Sequence, residues 1–316
     1  MRQFTLKQLR YFVTAGELSS VTQAARKLHV SQPSISGAIQ QIEEVTGLQL
    51  FVRHHAQGLS LTPPGKQLMN RARHLLHDAE ALQQYARSLG KEIRGELRLV
   101  AFPTFAPVLL PRLLRRYADF HASVSLYCDE MHQADIVRGL QQGGYELAFT
   151  YNLEIPEGID FRALYRFPAY AVVATDHPLA KHDRIELAEL VAWPMVLLDW
   201  PLSREYFLSI FTSHGLAPVV AHRAKSLDMV RGLVANGFGF SLFNTPLTAL
   251  QGFGGNGLKQ LRLEDDVPPL LMGLAYLHGL QLSPAAEAMY RLIQDSETRA
   301  EVFAQVGSGS VDVATP

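Results

Sequence analysis

The spacing of the apolar residues changes character once along the chain, near Arg94-Gly95, and that change bounds the fold more tightly than any single motif. Before it, apolar side chains recur three and four apart; after it, short strand-like runs alternate with helical stretches. A chain of 316 residues exceeds one ordinary core. The pattern therefore predicts a largely helical head joined to an α/β body. Charged residues or Pro interrupt every apolar run well short of the roughly 18 residues a membrane helix needs. The N-terminus lacks an apolar leader, so the chain is expected in the cytoplasm with no membrane partner. A single cysteine, Cys128, excludes an intrachain disulfide and any cysteine-rich metal site.

The formal charge of −1 conceals an asymmetry. Residues 1–90 carry ten Lys and Arg against five Asp and Glu, while the remainder carries nineteen against twenty-five. A basic head on an acidic body points to a polyanionic partner for the head. Leu6, Leu9, Phe12 and Val13 predict a first helix closed by Gly16. Ser20 opens a short second helix over Val21–Leu28, and His29-Val30 turns the chain. Ser31-Gln32-Pro33-Ser34 reads as the start of a third helix, with a capping hydroxyl and a proline that costs nothing in a first turn. Such a pair of helices meets the requirement of a helix-turn-helix, with Thr22, Ser31, Gln32, Pro33, Ser34 and Ser36 placed to meet double-stranded DNA. Two short strands around His54-His55 predict a wing with Arg53 at its base, within reach of a phosphate. The paired histidines lack further ligands, so no metal is expected.

Ala24-Ala25, Leu28 to Ser36, Ile42-Glu43, Gly47 to Arg53 and Leu61 to Gly65 together resemble the head of LysR-type transcriptional regulators. The likeness spans about sixty residues and departs from the family pattern at Gly37 and Pro64. It implies a winged helix-turn-helix over 1–62, a linker helix over 63–90 and a two-lobed, periplasmic-binding-protein-like effector body. Lobe I is expected over 91–166 plus 268–303 and lobe II over 167–267, with residues 304–316 a disordered tail. Leu68, Ala72, Leu75, Ala79 and Leu82, continued by Ala86 and Leu89, follow a heptad spacing of four and three. In the resemblance this seam pairs two heads, giving a homodimer or homotetramer that acts with RNA polymerase.

The body alternates strands (96–101, 124–128, 146–150, 170–174, 195–198, 219–221, 238–243) with helices (107–120, 132–142, 203–214, 226–235), and ends with a strand over 270–276 and a helix over 284–303. Residues 252–257 read as a loop. Ligands of open α/β sheets bind beyond the carboxyl ends of strands. That rule selects Phe102, Pro103, Thr104, Gln133, Tyr151, Asn152, Asp199, Ser203 and Phe243 as effector-binding residues. Helix amides with Thr104 suit a small anion, and the rings suit an aromatic compound. No P-loop, H-E-x-x-H, nucleophile elbow or dinucleotide fingerprint is present, so no cofactor is expected. The resulting reading is a DNA-binding regulator controlled by an effector. The alternative is a two-lobed binding protein or enzyme whose head serves mainly oligomerisation. Arg53→Ala is expected to weaken binding to every duplex and reduce the salt slope of log affinity by about one; an unchanged slope in titrations at several salt concentrations would remove Arg53 from the backbone contacts.

Overall fold

The computed structural model describes residues 3–54, 58–88, 93–245 and 257–303. The head consists of α1 (Leu6–Leu18), α2 (Val21–Lys27) and α3 (Gln32–Thr46), followed by the hairpin β1 (Phe51–His54) and β2 (Gly58–Leu61). Thr5, Ser20 and Ser31 cap the three helices through their hydroxyls, and Gly47 closes α3 at a φ of 68°. Phe12, Ile35, Ile42 and Leu50 form the centre of the head core, where Phe12 meets Phe51 edge-on with centroids 5.4 Å apart. The long α4 (Pro63–Ser88) then leaves the head with Met69 and Ala72 still buried in that core.

Gly16 does not end α1, which runs on to Leu18 and is closed by Ser19 in the left-handed region. The glycine gives clearance to a neighbour instead: a Cβ there would lie 2.6 Å from Met69 Sδ, so the methionine side chain would have to shift. Gly65 is tighter still, since its Cβ would lie 2.1 Å from the Leu50 carbonyl oxygen. These two positions let α1 and α4 close around the hairpin.

The body begins with β3 (Gly95–Ala101), α5 (Ala106–Phe120), β4 (Val124–Glu130), α6 (Gln133–Gln141), β5 (Leu147–Tyr151) and β6 (Ile159–Phe167). The chain then builds a second lobe from β7 (Tyr170–Ala174), β8 (Arg184–Ile185), α7 (Leu187–Leu190), β9 (Met195–Leu198), α8 (Pro201–Thr212), β10 (Val220–Ala224), α9 (Leu227–Ala235), β11 (Ser241–Phe243) and β12 (Leu258–Leu263). It returns through β13 (Leu270–Leu277), α10 (Pro284–Gln294) and α11 (Ser296–Phe303). The first lobe is a five-stranded sheet ordered β4-β3-β5-β13-β6, parallel at β4-β3-β5 and antiparallel where β13 enters. The second holds the sheet β11-β7-β12-β8 and the parallel pair β10-β9, linked by the bridge between Met195 and Phe240.

Three strands, β6, β12 and the two-residue β8, are absent from the sequence expectation. β6 is an edge strand whose Asp160, Arg162 and Arg166 face outward, and Lys259, Gln260 and Arg262 interrupt the apolar run of β12. The expected helix 284–303 is two helices, because Asp295 adopts an extended conformation and accepts from the Thr298 amide at 2.8 Å, starting a new helix. The expected loop at 252–257, the tail at 304–316 and Leu89 lie wholly or largely outside the described residues.

Gly65→Ala is expected to cost the head about 3 kcal/mol through overpacking. Gly37→Ala, in a helix interior with nothing within 4 Å of the added carbon, is expected to gain about 1 kcal/mol. Urea unfolding followed by circular dichroism checks both signs.

Candidate nucleic-acid interface and effector cleft

The first turn of α3 gathers Ser31, Gln32, Pro33 and Ser34 on an exposed surface, while Ile35, Ala38, Ile39 and Ile42 turn inward. Core packing thus fixes which side of the helix faces out. Ser31 Oγ accepts from the Ser34 amide at 3.4 Å and shares a 2.8 Å bond with Ser34 Oγ, so these two hydroxyls hold the helix start as well as facing outward. Ser36 and Thr22 are half-buried, and Arg26 and Lys27 stand exposed on α2. The sequence of α3 contains neither Lys nor Arg. With no cation of its own, α3 offers an anion only its N-terminal amides and its hydroxyl and amide side chains, and the exposed cations nearby are Arg26 and Lys27 of α2. Arg53 lies in β1, paired in register with Leu59.

The seam on α4 is divided between two uses. Ala72 is packed in the head core and Leu68 rests against it, so Ala72 is not free to meet a second copy. Leu75 is 48% exposed and Leu82 62% exposed, with Ala79 half-buried between them.

In the body, a closed cavity forms where β5, β9, α8 and the end of β11 converge, with Thr104, Tyr151, Ser203, Phe243 and Asn244 in its wall. The space open to a water-sized molecule is only about 10 Å³, enough for about one water. Thr104 Oγ1 and Tyr151 Oη lie 3.0 Å apart and share a proton. Burial pushes the Tyr151 phenol well above its ordinary range, so it remains a neutral donor and acceptor at neutral pH. Ser203 is buried in the first turn of α8, a helix whose N-cap, Trp200, supplies no side-chain cap. Asn244 is 6% exposed; its amide points toward the Tyr151 hydroxyl and, among the described residues, Nδ2 makes no well-formed hydrogen bond. Among the described residues the wall contains no Asp or Glu.

Other selected residues lie outside this wall. Gln133 is buried beside it but its amide is occupied: Oε1 accepts from Thr150, and Nε2 donates to the carbonyls of Tyr151 and Leu153. Asn152 bonds the backbone of β13 through the Leu271 amide at 2.9 Å. Asp199 is paired with Arg204 at 2.9 Å and Arg223 at 3.4 Å, and the Arg204 hydrogen bond leads in holding its carboxyl below the usual range. Phe102 is buried between the lobes, with its ring 5.2 Å from Tyr151 and 5.7 Å from Trp200; Pro103 is half-buried beside it. The sequence rule misses Leu198, Tyr206, Phe207, Leu227 and Leu270, which supply the apolar wall. Their apolar type alone cannot separate a cavity wall from a core.

Residues 6–66 match the model of the bacterial regulatory helix-turn-helix protein, lysR family, and residues 90–298 match that of the LysR substrate binding domain. The chain is 31% identical over 244 residues to the HTH-type transcriptional regulator CysB of Haemophilus influenzae, covering 75% of this chain and 74% of that protein. It is 26% identical over 290 residues to the dual regulator OxyR of Escherichia coli, with 92% and 94% covered. Among solved structures, HinK of Pseudomonas aeruginosa aligns at a TM-score of 0.62 with 33% identity, covering 95% of this chain and 99% of that one. A full-length OxyR variant from the same organism shares the fold at a TM-score of 0.78 with 21% identity, over 98% and 100%. These relatives are regulators and not enzymes. The chain belongs to the LysR family of transcriptional regulators, joining a helix-turn-helix DNA-binding head to an effector-binding body.

Proposed function

We propose that this regulator binds promoter DNA as a homodimer or homotetramer in the cytoplasm and changes its grip when a small molecule occupies the cavity at Thr104, Tyr151, Ser203, Phe243 and Asn244. The observation that carries the reading is a buried space between the lobes where Thr104, Tyr151, Ser203 and Asn244 set polar groups into an apolar wall that, among the described residues, holds no acid. A ligand with an acceptor group and an apolar or aromatic body meets both kinds of wall once the lobes part far enough to admit it, and a carboxylate gains further from the α8 N-terminus. Because the cavity is closed, binding requires the lobes to part and reclose, and the ligand's differential affinity for the two states drives the change.

In this reading 1–62 is the DNA-binding unit and 63–90 the pairing helix. Residues 91–166 with 268–303 form one effector lobe, and 167–267 the other. Ser31, Gln32, Pro33, Ser34, Ser36, Thr22 and Arg53 meet the duplex, and Leu75, Ala79 and Leu82 meet a second copy. RNA polymerase is the further partner of the assembled regulator.

Relatives named hydrogen peroxide-inducible genes activator invite a peroxide-sensing alternative. Cys128 has no second cysteine to pair with, and burial, aided by Asp129 and Glu130, pushes its thiol up to about 11. A thiol so rarely ionised at neutral pH attacks peroxide slowly, which favours the small-molecule reading.

Thermal unfolding of the full chain against carboxylates, aromatic acids, amino acids and nucleobases tests the cavity. An effector at about a hundred times its Kd adds about 2.7 kcal/mol of stability, and Thr104→Val or Asn244→Leu should abolish most of that gain. A gain surviving both substitutions would put the ligand elsewhere. Leu75→Glu combined with Leu82→Glu should shift sedimentation equilibrium toward monomer; an unchanged mass would exclude this seam.

A further inference from the structure

The linker helix meets the effector body through two histidines one turn apart. His74 Nε2 lies 2.6 Å from the Gln141 carbonyl oxygen at the end of α6. That oxygen can only accept, so Nε2 carries the proton. Gly143, left-handed at a φ of 65° just past α6, lies against the ring, where a Cβ would be in ordinary contact 3.4 Å from His74 Nδ1. One turn on, His77 Nε2 lies 3.4 Å from Glu146 Oε2, at ion-pair distance but without hydrogen-bond geometry. The Glu146 carboxylate is buried and accepts from both the amide and the hydroxyl of Ser283, at 2.7 and 2.9 Å, at the start of α10. The imidazole therefore faces a carboxylate locked in place from behind.

These contacts lie at the far end of the elements that form the cavity. Glu146 immediately precedes β5, whose last residue, Tyr151, is in the cavity wall five residues away, about 17 Å along a strand. α6 runs beside it: Gln133 at its start is bonded to Thr150, Tyr151 and Leu153, and Gln141 at its end receives His74. The α6–β5 pair thus has the cavity at one end and the linker helix at the other.

We propose that His77 and Glu146, seated on Ser283 and flanked by the His74 contact, form a proton-dependent latch that fixes the linker helix to the effector body. The charges facing His77 are Glu146 from the body, Asp78 and Glu80 on its own helix, and Glu96 and Arg98 of β3 around the same crevice. Glu80 is tied to Arg10 of α1 at 2.7 Å, and Arg98 lies 3.6 Å from Glu96. Tyr117 of α5 feels the Glu146 charge as well as its own burial, and stays neutral. Burial alone would lower the pKa of His77, but Glu146, then Asp78 and Glu80, outweigh it and raise the group above 6.5. The stabilisation from the charged pair is therefore complete below 6.5 and is lost as pH rises through the raised value. The latch extends the proposed function, because a helix held to the body at one pH and freed at another changes how cavity occupancy reaches the heads.

Two measurements on the full chain, without DNA or ligand, test it. In ring NMR His77 should titrate above 6.5, and Glu146→Gln, which retains an acceptor for Ser283, should bring it below. Amide exchange over residues 72–80, corrected for the intrinsic pH dependence, should lose at least tenfold protection between pH 6 and pH 8.5 in the natural chain and change less than twofold in His77→Gln. A His77 titration below 6.5 in the natural chain overturns the proposal. So does protection that falls equally in the natural and His77→Gln chains, or that does not fall in either. If His77→Gln fails to fold, Glu146→Gln serves as the uncharged comparison in the exchange experiment. Because no effector or duplex enters these tests, failure of the latch leaves the cavity assignment standing, and the reverse also holds.

Discussion

The body depends on the chain crossing between its lobes at two places among the described residues, once between Phe167 and Tyr170 and once between Leu263 and Leu270. In the proposed reading two adjacent crossings, paired at Phe167 and Leu270, serve as the hinge between the lobes, unlike a single covalent tether or a broad fused sheet. Around them the aromatic residues Phe102, Phe105, Tyr151, Phe167 and Trp200 pack mainly edge to face, with a near-parallel stack at Phe105–Phe167, and carry one apolar core from the first lobe into the second. The cavity sits where that core gives way to polar groups, so opening the hinge disturbs rings and hydroxyls together. Everything proposed for the effector follows from this placement.

Much of the head was legible in sequence because local rules decide it. Ser20, Ser31 and Gly47 end helices for reasons contained within a few residues, and the structure uses each as a cap. Gly16 was misread because a glycine serves equally as a terminus or as clearance for a neighbour, and the neighbour, Met69, is 53 positions away. Ala72 shows the same limit. Heptad spacing assigns it to a seam, but only tertiary packing reveals that the head's own core occupies that stripe first.

In the body, strands with continuous apolar runs such as Tyr170–Ala174 were evident, whereas β6 and β12, which carry charges toward solvent, were not. The rule of strand ends brought out Thr104, Tyr151, Ser203 and Phe243, all in the cavity wall. It also drew in Gln133 and Asp199, whose polar atoms are already engaged by Thr150 and by Arg204 and Arg223. Residue type advertises hydrogen-bonding capacity; only the fold reveals whether that capacity is spent.

The absence of any Lys or Arg from α3 has a bearing on how the head divides grip from reading. Non-specific adhesion to a chromosome is almost wholly a matter of cations against phosphates. A reading helix that carries none contributes shape and hydrogen bonding at the correct site and little elsewhere. In the proposed reading, adhesion to any duplex rests instead on the cations of the other elements of the head, Arg26 and Lys27 among them, so general grip and sequence reading are carried by separate elements and can be altered one without the other.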